Sequence, residues 1–104
     1  MQVSGVRYTF DASKQGLERL VEATLADGSP IDPEKLYTVI MPDFIAMGGD
    51  GTETVMRSIP ADRVQIHYAA PVRDIIIEQL KTAAQPMTPK LEGRINVVNP
   101  APAR

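Results

Sequence analysis

Residues 2–10 alternate between apolar and polar positions, which predicts a half-buried β-strand. Val6, Tyr8 and Phe10 occupy one set of alternate positions, and Arg7 lies between the first two. Successive side chains of a strand point to opposite faces of a sheet, so this spacing places the three apolar residues on one face. The segment therefore predicts a strand with one apolar and one polar face.

Residues 20–25 form the next apolar segment, and they fit either a helical stripe or a strand. The residues that follow, Asp27-Gly28, favour the second interpretation. Asp-Gly between two apolar runs is a strong hairpin signal because the turn it forms needs positive φ. We therefore predict a second strand that ends in a turn at 27–30.

The middle of the chain predicts several short elements. Residues 36–41 are rich in β-branched and aromatic side chains, which favours a central strand. Pro42 would end that strand because proline cannot donate to a ladder. The remaining short elements are a helix at 54–58 and strands at 64–68 and 93–98.

One longer helix is predicted at 71–84. Pro71 suits the start of a helix because its missing N–H would have no partner there. Val72, Ile75 and Leu80 follow at helical spacing and form an apolar stripe. The segment is therefore expected to bury one face against a sheet.

Strands come first, and one strong helix follows later, which predicts an α+β fold. We expect a mixed, largely antiparallel sheet with the helix at 71–84 packed on it. A chain of 104 residues fits one domain, placed over residues 1–98. Residues 99–104 read as a mobile tail because they alternate proline and alanine and carry no apolar pattern.

Composition disfavours several classes of partner. The 11 basic and 13 acidic residues are spread evenly and give a net charge of −2. No basic cluster is present to neutralise a nucleic-acid backbone. No apolar run approaches the ~20 residues that span a bilayer. We therefore expect neither a nucleic-acid partner nor a membrane segment.

Candidate catalytic groups are scarce. The chain has no cysteine, which excludes disulfides and thiol catalysis, and His67 is its only histidine. The sequence has no Gly-x-Ser-x-Gly nucleophile elbow and no spacing typical of metal ligands. We expect the chain itself to hold no catalytic residue, no metal ion and no cofactor.

The segment 43–51 is the strongest candidate for a binding site. Its glycines, Gly48 and Gly49 among them, allow sharp turns and a close approach of a ligand to the backbone. Phe44 offers a flat apolar ring, and Asp50 offers two acceptor oxygens. A ring beside a carboxylate suits a nucleoside, which is part aromatic and part polyol. A tight turn with a core phenylalanine is the alternative that these residues leave open.

The chain resembles the C-terminal domain of the 5′-nucleotidase, UDP-sugar hydrolase and 2′,3′-cyclic phosphodiesterase family. The likeness extends in order over nearly the whole chain, and its segments are specific in combination. These segments are QVSGVRYTFD at 2–11, DGSPIDP at 27–33, YTV at 37–39, DFIAMGGDG at 43–51, Arg73-Asp74 and PKLEGRI at 89–95.

This resemblance implies a two-domain parent protein that hydrolyses phosphomonoesters of nucleotides in the periplasm or outside the cell. Its N-terminal metallophosphoesterase domain would hold two divalent metal ions, and its C-terminal domain would grip the nucleoside. The family's stacking phenylalanine corresponds to Phe44, and its ribose-binding aspartate corresponds to Asp50. Gly48 and Gly49 would complete the substrate-binding segment, and the isolated chain would not catalyse.

The chain also departs from the family pattern. The family's second stacking aromatic precedes the QVSG segment, so the chain resembles a partial, N-terminally truncated domain. Such a fragment is expected to expose a sheet edge that a second copy could cover. Thr52 stands where an aromatic residue usually follows GGDG, and Pro42 stands where asparagine is common. These departures leave a cyclic nucleotide, a sugar nucleotide or a sulfur compound open as the parent's substrate.

A non-catalytic binding or interaction module is the alternative function of a different class. Its loop at 43–51 would then serve a protein or a sugar partner.

Overall fold

A computed structural model describes residues 2–68, 70–84, 86–100 and 102. Its strands are β1 (Val6–Asp11), β2 (Leu20–Leu25) and β3 (Ile95–Val98), and its α-helices are α1 (Asp43–Ala46), α2 (Glu53–Ser58) and α3 (Val72–Thr82). Short 3₁₀ turns lie at Gly16–Arg19, Gly49–Gly51 and Ala61–Arg63. This combination confirms the predicted α+β class.

The strands of the described residues form one mixed sheet in the order β2-β1-β3. β2 pairs with β1 in the antiparallel sense, with Val6 opposite Leu25. β3 pairs with β1 in the parallel sense, with Tyr8 opposite Ile95. The first predicted strand thus lies at the centre of the sheet, and β2 and β3 form its edges. Self-association through such an edge stays a prediction.

The apolar face of β1 is confirmed by a contact between its aromatic rings. The ring centroids of Tyr8 and Phe10 lie 6.2 Å apart, so the two side chains share one face. The guanidinium carbon of Arg19 lies 5.3 Å from the centroid of the Phe10 ring, a distance within the range of a cation–π contact. These contacts leave both aromatic side chains half-buried.

Asp11 ties the end of β1 to the end of β3. One of its carboxylate oxygens accepts hydrogen bonds from the backbone N–H of Ser13 at 2.8 Å and from the Ser13 hydroxyl at 2.6 Å. The other accepts a hydrogen bond from the side-chain amide of Asn99 at 3.1 Å. The Ser13 hydroxyl, the Ser13 N–H and the Asn99 amide favour the charged form and lower the pKa of Asp11.

The predicted turn after β2 is present. Gly28 adopts a φ of 86°, and Asp27 accepts hydrogen bonds from the N–H and the hydroxyl of Ser29 at 2.9 and 2.6 Å. The chain reverses here, although the returning segment pairs with β2 only through an isolated bridge between Thr24 and Pro30. The two bonds from Ser29 lower the pKa of Asp27.

The chain divides into two compact units. One comprises the residues up to Leu36 and those from Thr88 onward, and it contains the sheet. The other, Tyr37–Met87, contains the three α-helices. The predicted packing of the long helix on the sheet, and the predicted single domain over 1–98, stay predictions. The predicted mobile tail at 99–104 falls partly outside the described residues.

Two predicted strands are wrong. The structure forms no strand at 36–41 or at 64–68. Both segments have side chains that favour a strand, but a strand also needs a neighbour that supplies hydrogen-bond partners. β1 takes the central position in the sheet, and the side chain of Ile40 stays 94% exposed. Despite their β-propensity, these residues therefore form no strand, because no strand of the described chain pairs with them.

Much apolar surface remains uncovered in the part of the chain that the structure describes. None of its hydrophobic residues is fully buried, and Leu17, Ile40 and Leu91 are among the most exposed. None of the helices in this part is long and apolar enough to cross a bilayer. Hydrogen bonds at turns and strand ends therefore stabilise much of the local structure.

We expect Asp11→Asn to destabilise the fold at pH 7 and to have a smaller effect at pH 3. Because the folded pKa of Asp11 is lowered, its ionised form stabilises the fold above the unfolded pKa of about 3.9. That contribution to stability is lost as the pH falls through the lowered folded pKa of Asp11. Urea unfolding of both proteins across this pH range measures the difference. Asp62→Asn is the matched control, because Asp62 accepts no hydrogen bond from the described residues. A loss of stability in Asp11→Asn that is the same at every pH would contradict the expectation.

Candidate nucleoside-binding segment

The phenylalanine of the candidate site lies in the first turn of α1. Pro42 precedes this helix, and its carbonyl accepts hydrogen bonds from the N–H groups of Ile45 and Ala46, both at 3.1 Å. The carboxylate of Asp43 accepts a bond from the N–H of Phe44 at 2.7 Å. These bonds fix the backbone that carries the Phe44 side chain, which is 59% exposed.

Gly48 reverses the chain directly after α1. Its φ is 97°, in the left-handed region that favours glycine. A Cβ atom at this position would also lie 3.1 Å from both Cα and Cβ of Glu53. Backbone conformation and limited space therefore both require glycine here.

Gly49 is required for a different reason, because the Phe44 ring lies against it. A Cβ atom on Gly49 would lie 2.4, 2.5 and 2.6 Å from three consecutive ring carbons of Phe44. Nearly equal distances to three neighbouring ring atoms place this position over the face of the ring rather than beyond its edge. One face of the ring is therefore supported by the Gly49 backbone.

Asp50 follows in a left-handed conformation, with φ 52° and ψ 34°. For a residue with a side chain this conformation costs roughly 1 kcal/mol. Its carboxylate is exposed and makes no hydrogen bond or ion pair with the residues that the structure describes. Aspartate adopts this conformation more readily than most residues that carry a side chain.

Thr52 closes the segment, and in the sequence it stands out only as a departure from the family pattern. Its hydroxyl lies 2.8 Å from the carbonyl oxygen of Ile45 and 2.8 Å from that of Gly49. The sequence contained one usable signal, a threonine directly before a helix, but that signal predicts a cap. The Thr52 side chain makes no capping bond to α2.

The structure thus brings Phe44, Gly48, Gly49 and Asp50 together in one short segment. A hollow of 240 Å³ lies beside it and is lined by Ala46, Met47, Gly48, Glu53, Met56 and Arg57. Phe44 and Asp50 lie outside this lining. Their joint contact with one ligand therefore stays a prediction, and so does the binding role of all four residues.

Metal-ligand clusters are not found within the described part of the chain, where no three His, Cys, Asp or Glu residues converge. Arg57 and Glu53, which face each other beside the hollow, form an exposed ion pair on α2. Exposed pairs of this kind contribute little to stability, typically below about 1 kcal/mol. The groups that this segment offers to a ligand are a ring, a carboxylate and bare backbone.

Comparison with known proteins identifies the family. The sequence profile described as 5′-nucleotidase, C-terminal domain, matches residues 1–57, which include the whole candidate segment. The chain belongs to this family. The resemblance recognised from the sequence is thereby confirmed for the C-terminal domain.

Several curated proteins are similar to this chain. The apyrase of Tabanus yao is 30% identical over 105 residues, covering 94% of the chain and 18% of the apyrase. The trifunctional nucleotide phosphoesterase protein YfkN of Bacillus subtilis is 31% identical over 102 residues, covering 93% of the chain and 7% of YfkN. A snake venom 5′-nucleotidase of Naja atra is 36% identical over 58 residues, covering 49% of the chain and 11% of the venom protein.

The chain spans less than a fifth of the length of these curated relatives. No solved structure is significantly similar to it. The family membership therefore concerns this domain, and the activity of a whole protein is a separate matter.

We expect Gly49→Ala to destabilise the chain by about 1–3 kcal/mol, because the added methyl group would overlap the Phe44 ring. In a Phe44→Ala background the same change should be neutral or stabilising. Gly49 has a helical backbone conformation that alanine adopts without strain, and alanine restricts the unfolded chain. Urea unfolding of the four proteins of this cycle measures the coupling.

Gly51→Ala is the matched control for this cycle. Gly51 has a φ of 79°, and apart from its chain neighbours no atom of the described residues lies within 4 Å of the position of its added Cβ. The loss of stability in Gly51→Ala therefore comes from backbone conformation, and it should be the same with or without the Phe44 ring. An equal cost of Gly49→Ala in both backgrounds would contradict the ring contact.

Proposed function

We propose that residues 43–51 recognise the nucleoside part of a nucleotide that a metal-dependent phosphohydrolase cleaves. The observation that carries this proposal is the Phe44 ring, which rests with one face on Gly49 while its side chain remains 59% exposed. A ring held in this way offers its other face to a planar ligand. The membership of the chain in the 5′-nucleotidase C-terminal domain family supports the same function.

Stacking explains how Phe44 would contribute. Contact between a base and an aromatic side chain is worth about 1–3 kcal/mol and tolerates any base, since every base has a flat face. The Gly49 backbone behind the ring limits its rotation before a ligand arrives. Less conformational freedom would then be lost on binding.

Asp50 would recognise the sugar. A carboxylate has two acceptor oxygens, so it can accept hydrogen bonds from two neighbouring hydroxyl groups, as on a ribose. Bonds to a charged acceptor are stronger than bonds between neutral groups. Two features of Asp50 support this role. Its backbone is left-handed, and its carboxylate makes no hydrogen bond or ion pair with the described residues, so its acceptor oxygens are available to a ligand.

The parent protein in this proposal has two domains. An N-terminal metallophosphoesterase domain would hold two divalent metal ions and cleave the phosphomonoester, while this domain positions the nucleoside. The names of the relatives, an apyrase and a trifunctional nucleotide phosphoesterase, support nucleotides as the substrate class. A periplasmic or extracellular location is proposed as well, and the venom relative supports it.

We expect Phe44→Ala in the two-domain protein to raise KM for adenosine 5′-monophosphate by roughly tenfold or more, since a stacking contact of about 1–3 kcal/mol is lost. Asp50→Asn should raise the same KM. Neither change should alter hydrolysis of p-nitrophenyl phosphate, which has no base and no ribose. Steady-state kinetics with both substrates measures this difference.

Asp62→Asn serves as the control for loss of one negative charge in the same unit. Its KM for both substrates should match that of the unchanged protein. An equal loss of activity on both substrates in the Phe44 and Asp50 variants would indicate damage to the fold, and it would contradict the proposed nucleoside contact.

A further inference from the structure

Thr52 makes side-chain hydrogen bonds that join α1 to the 3₁₀ turn at Gly49–Gly51. Its hydroxyl oxygen lies 2.8 Å from the Ile45 carbonyl and 2.8 Å from the Gly49 carbonyl, and the side chain is half-buried. A hydroxyl group has a single proton to donate, so the two carbonyls share it or receive it in turn. The two acceptors belong to the neighbours of the proposed ligand contacts, since Ile45 follows Phe44 and Gly49 precedes Asp50.

The same two carbonyls also take part in the backbone bonds of the turn. The Ile45 carbonyl accepts the N–H of Gly48 at 3.0 Å, and the Gly49 carbonyl accepts the N–H of Thr52 at 3.2 Å. The Thr52 hydroxyl therefore links two separate backbone turns through one atom. Without it, these backbone bonds would remain within each turn, and the position of one turn relative to the other would be less restricted.

We infer that Thr52 is a positioning residue of the proposed nucleoside site, which holds the Phe44 ring on Gly49 and fixes its position relative to Asp50. This inference rests on the proposed function. The hydroxyl is available for the task because the Thr52 side chain makes no capping bond to α2. The geometry requires a hydroxyl group that forms these hydrogen bonds, not a side chain of a particular size.

Two substitutions separate the hydroxyl from the bulk of the side chain. Thr52→Val keeps the shape and removes the hydroxyl, whereas Thr52→Ser keeps the hydroxyl and removes a methyl group. Thr54→Val is the matched control, since Thr54 is exposed in α2 and makes no hydrogen bond through its side chain within the described residues.

The first readout needs no ligand. Because the Phe44 ring lies over Gly49, we expect its ring current to shift the α-protons of Gly49 upfield in the NMR spectrum of the 104-residue chain. Thr52→Val should move these signals towards the values of an unstructured glycine. Thr52→Ser and Thr54→Val should leave them in place. Amide signals of α3, which lies in the same unit, check that each variant is folded, and Thr52→Ala replaces Thr52→Val if that variant unfolds.

The second readout is the dissociation constant for adenosine 5′-monophosphate, measured by titration of the same proteins. Loss of the hydroxyl should weaken binding by about three- to tenfold, the range for one hydrogen bond, and Thr52→Ser should restore it to within about twofold. If Thr52→Val changes neither the Gly49 signals nor the affinity, the positioning role is overturned. If the unchanged chain does not respond to the nucleotide, the proposed function fails, and the Gly49 signals alone then decide whether Thr52 positions the ring.

Discussion

The contact between the Phe44 ring and the bare backbone of Gly49 is the constraint on which the site depends. A Cβ atom at Gly49 would lie within 2.6 Å of three ring carbons, so only glycine allows the ring to rest there. The contact covers one face of the ring, so the opposite face points away from Gly49. Glycine at this position is thus required because a side chain would not fit, whereas Gly48 is required both by its positive φ and by the limited space beside Glu53.

The two compact units obtain their local order in different ways. The sheet unit is defined by pairing of β1 with both neighbours and by the Asp11 hydrogen bonds at one end of the sheet. The unit with the candidate site is defined by short helices and by hydroxyl and amide bonds within turns. Because none of the hydrophobic residues described is fully buried, these hydrogen bonds define much of the local structure in both units.

The sequence predicted the elements whose signals are local. β1 followed from alternation, β2 followed from the Asp27-Gly28 turn after it, and α3 followed from an apolar stripe after Pro71. β3 corresponds to the short strand predicted at 93–98. The strands predicted at 36–41 and 64–68 failed because pairing depends on a partner far along the chain. In the site, the motif indicated Phe44, Gly48, Gly49 and Asp50, but neither the stacking of the ring on Gly49 nor the bonds of Thr52 could be seen without coordinates.

The most direct test of the proposed nucleoside contact is a measurement of intermolecular nuclear Overhauser effects between the 104-residue chain and adenosine 5′-monophosphate. We expect contacts between the base protons and the ring protons of Phe44, together with contacts between the ribose protons and Asp50. Base contacts with protons of the sheet, or binding of the nucleotide without any contact to Phe44, would contradict it.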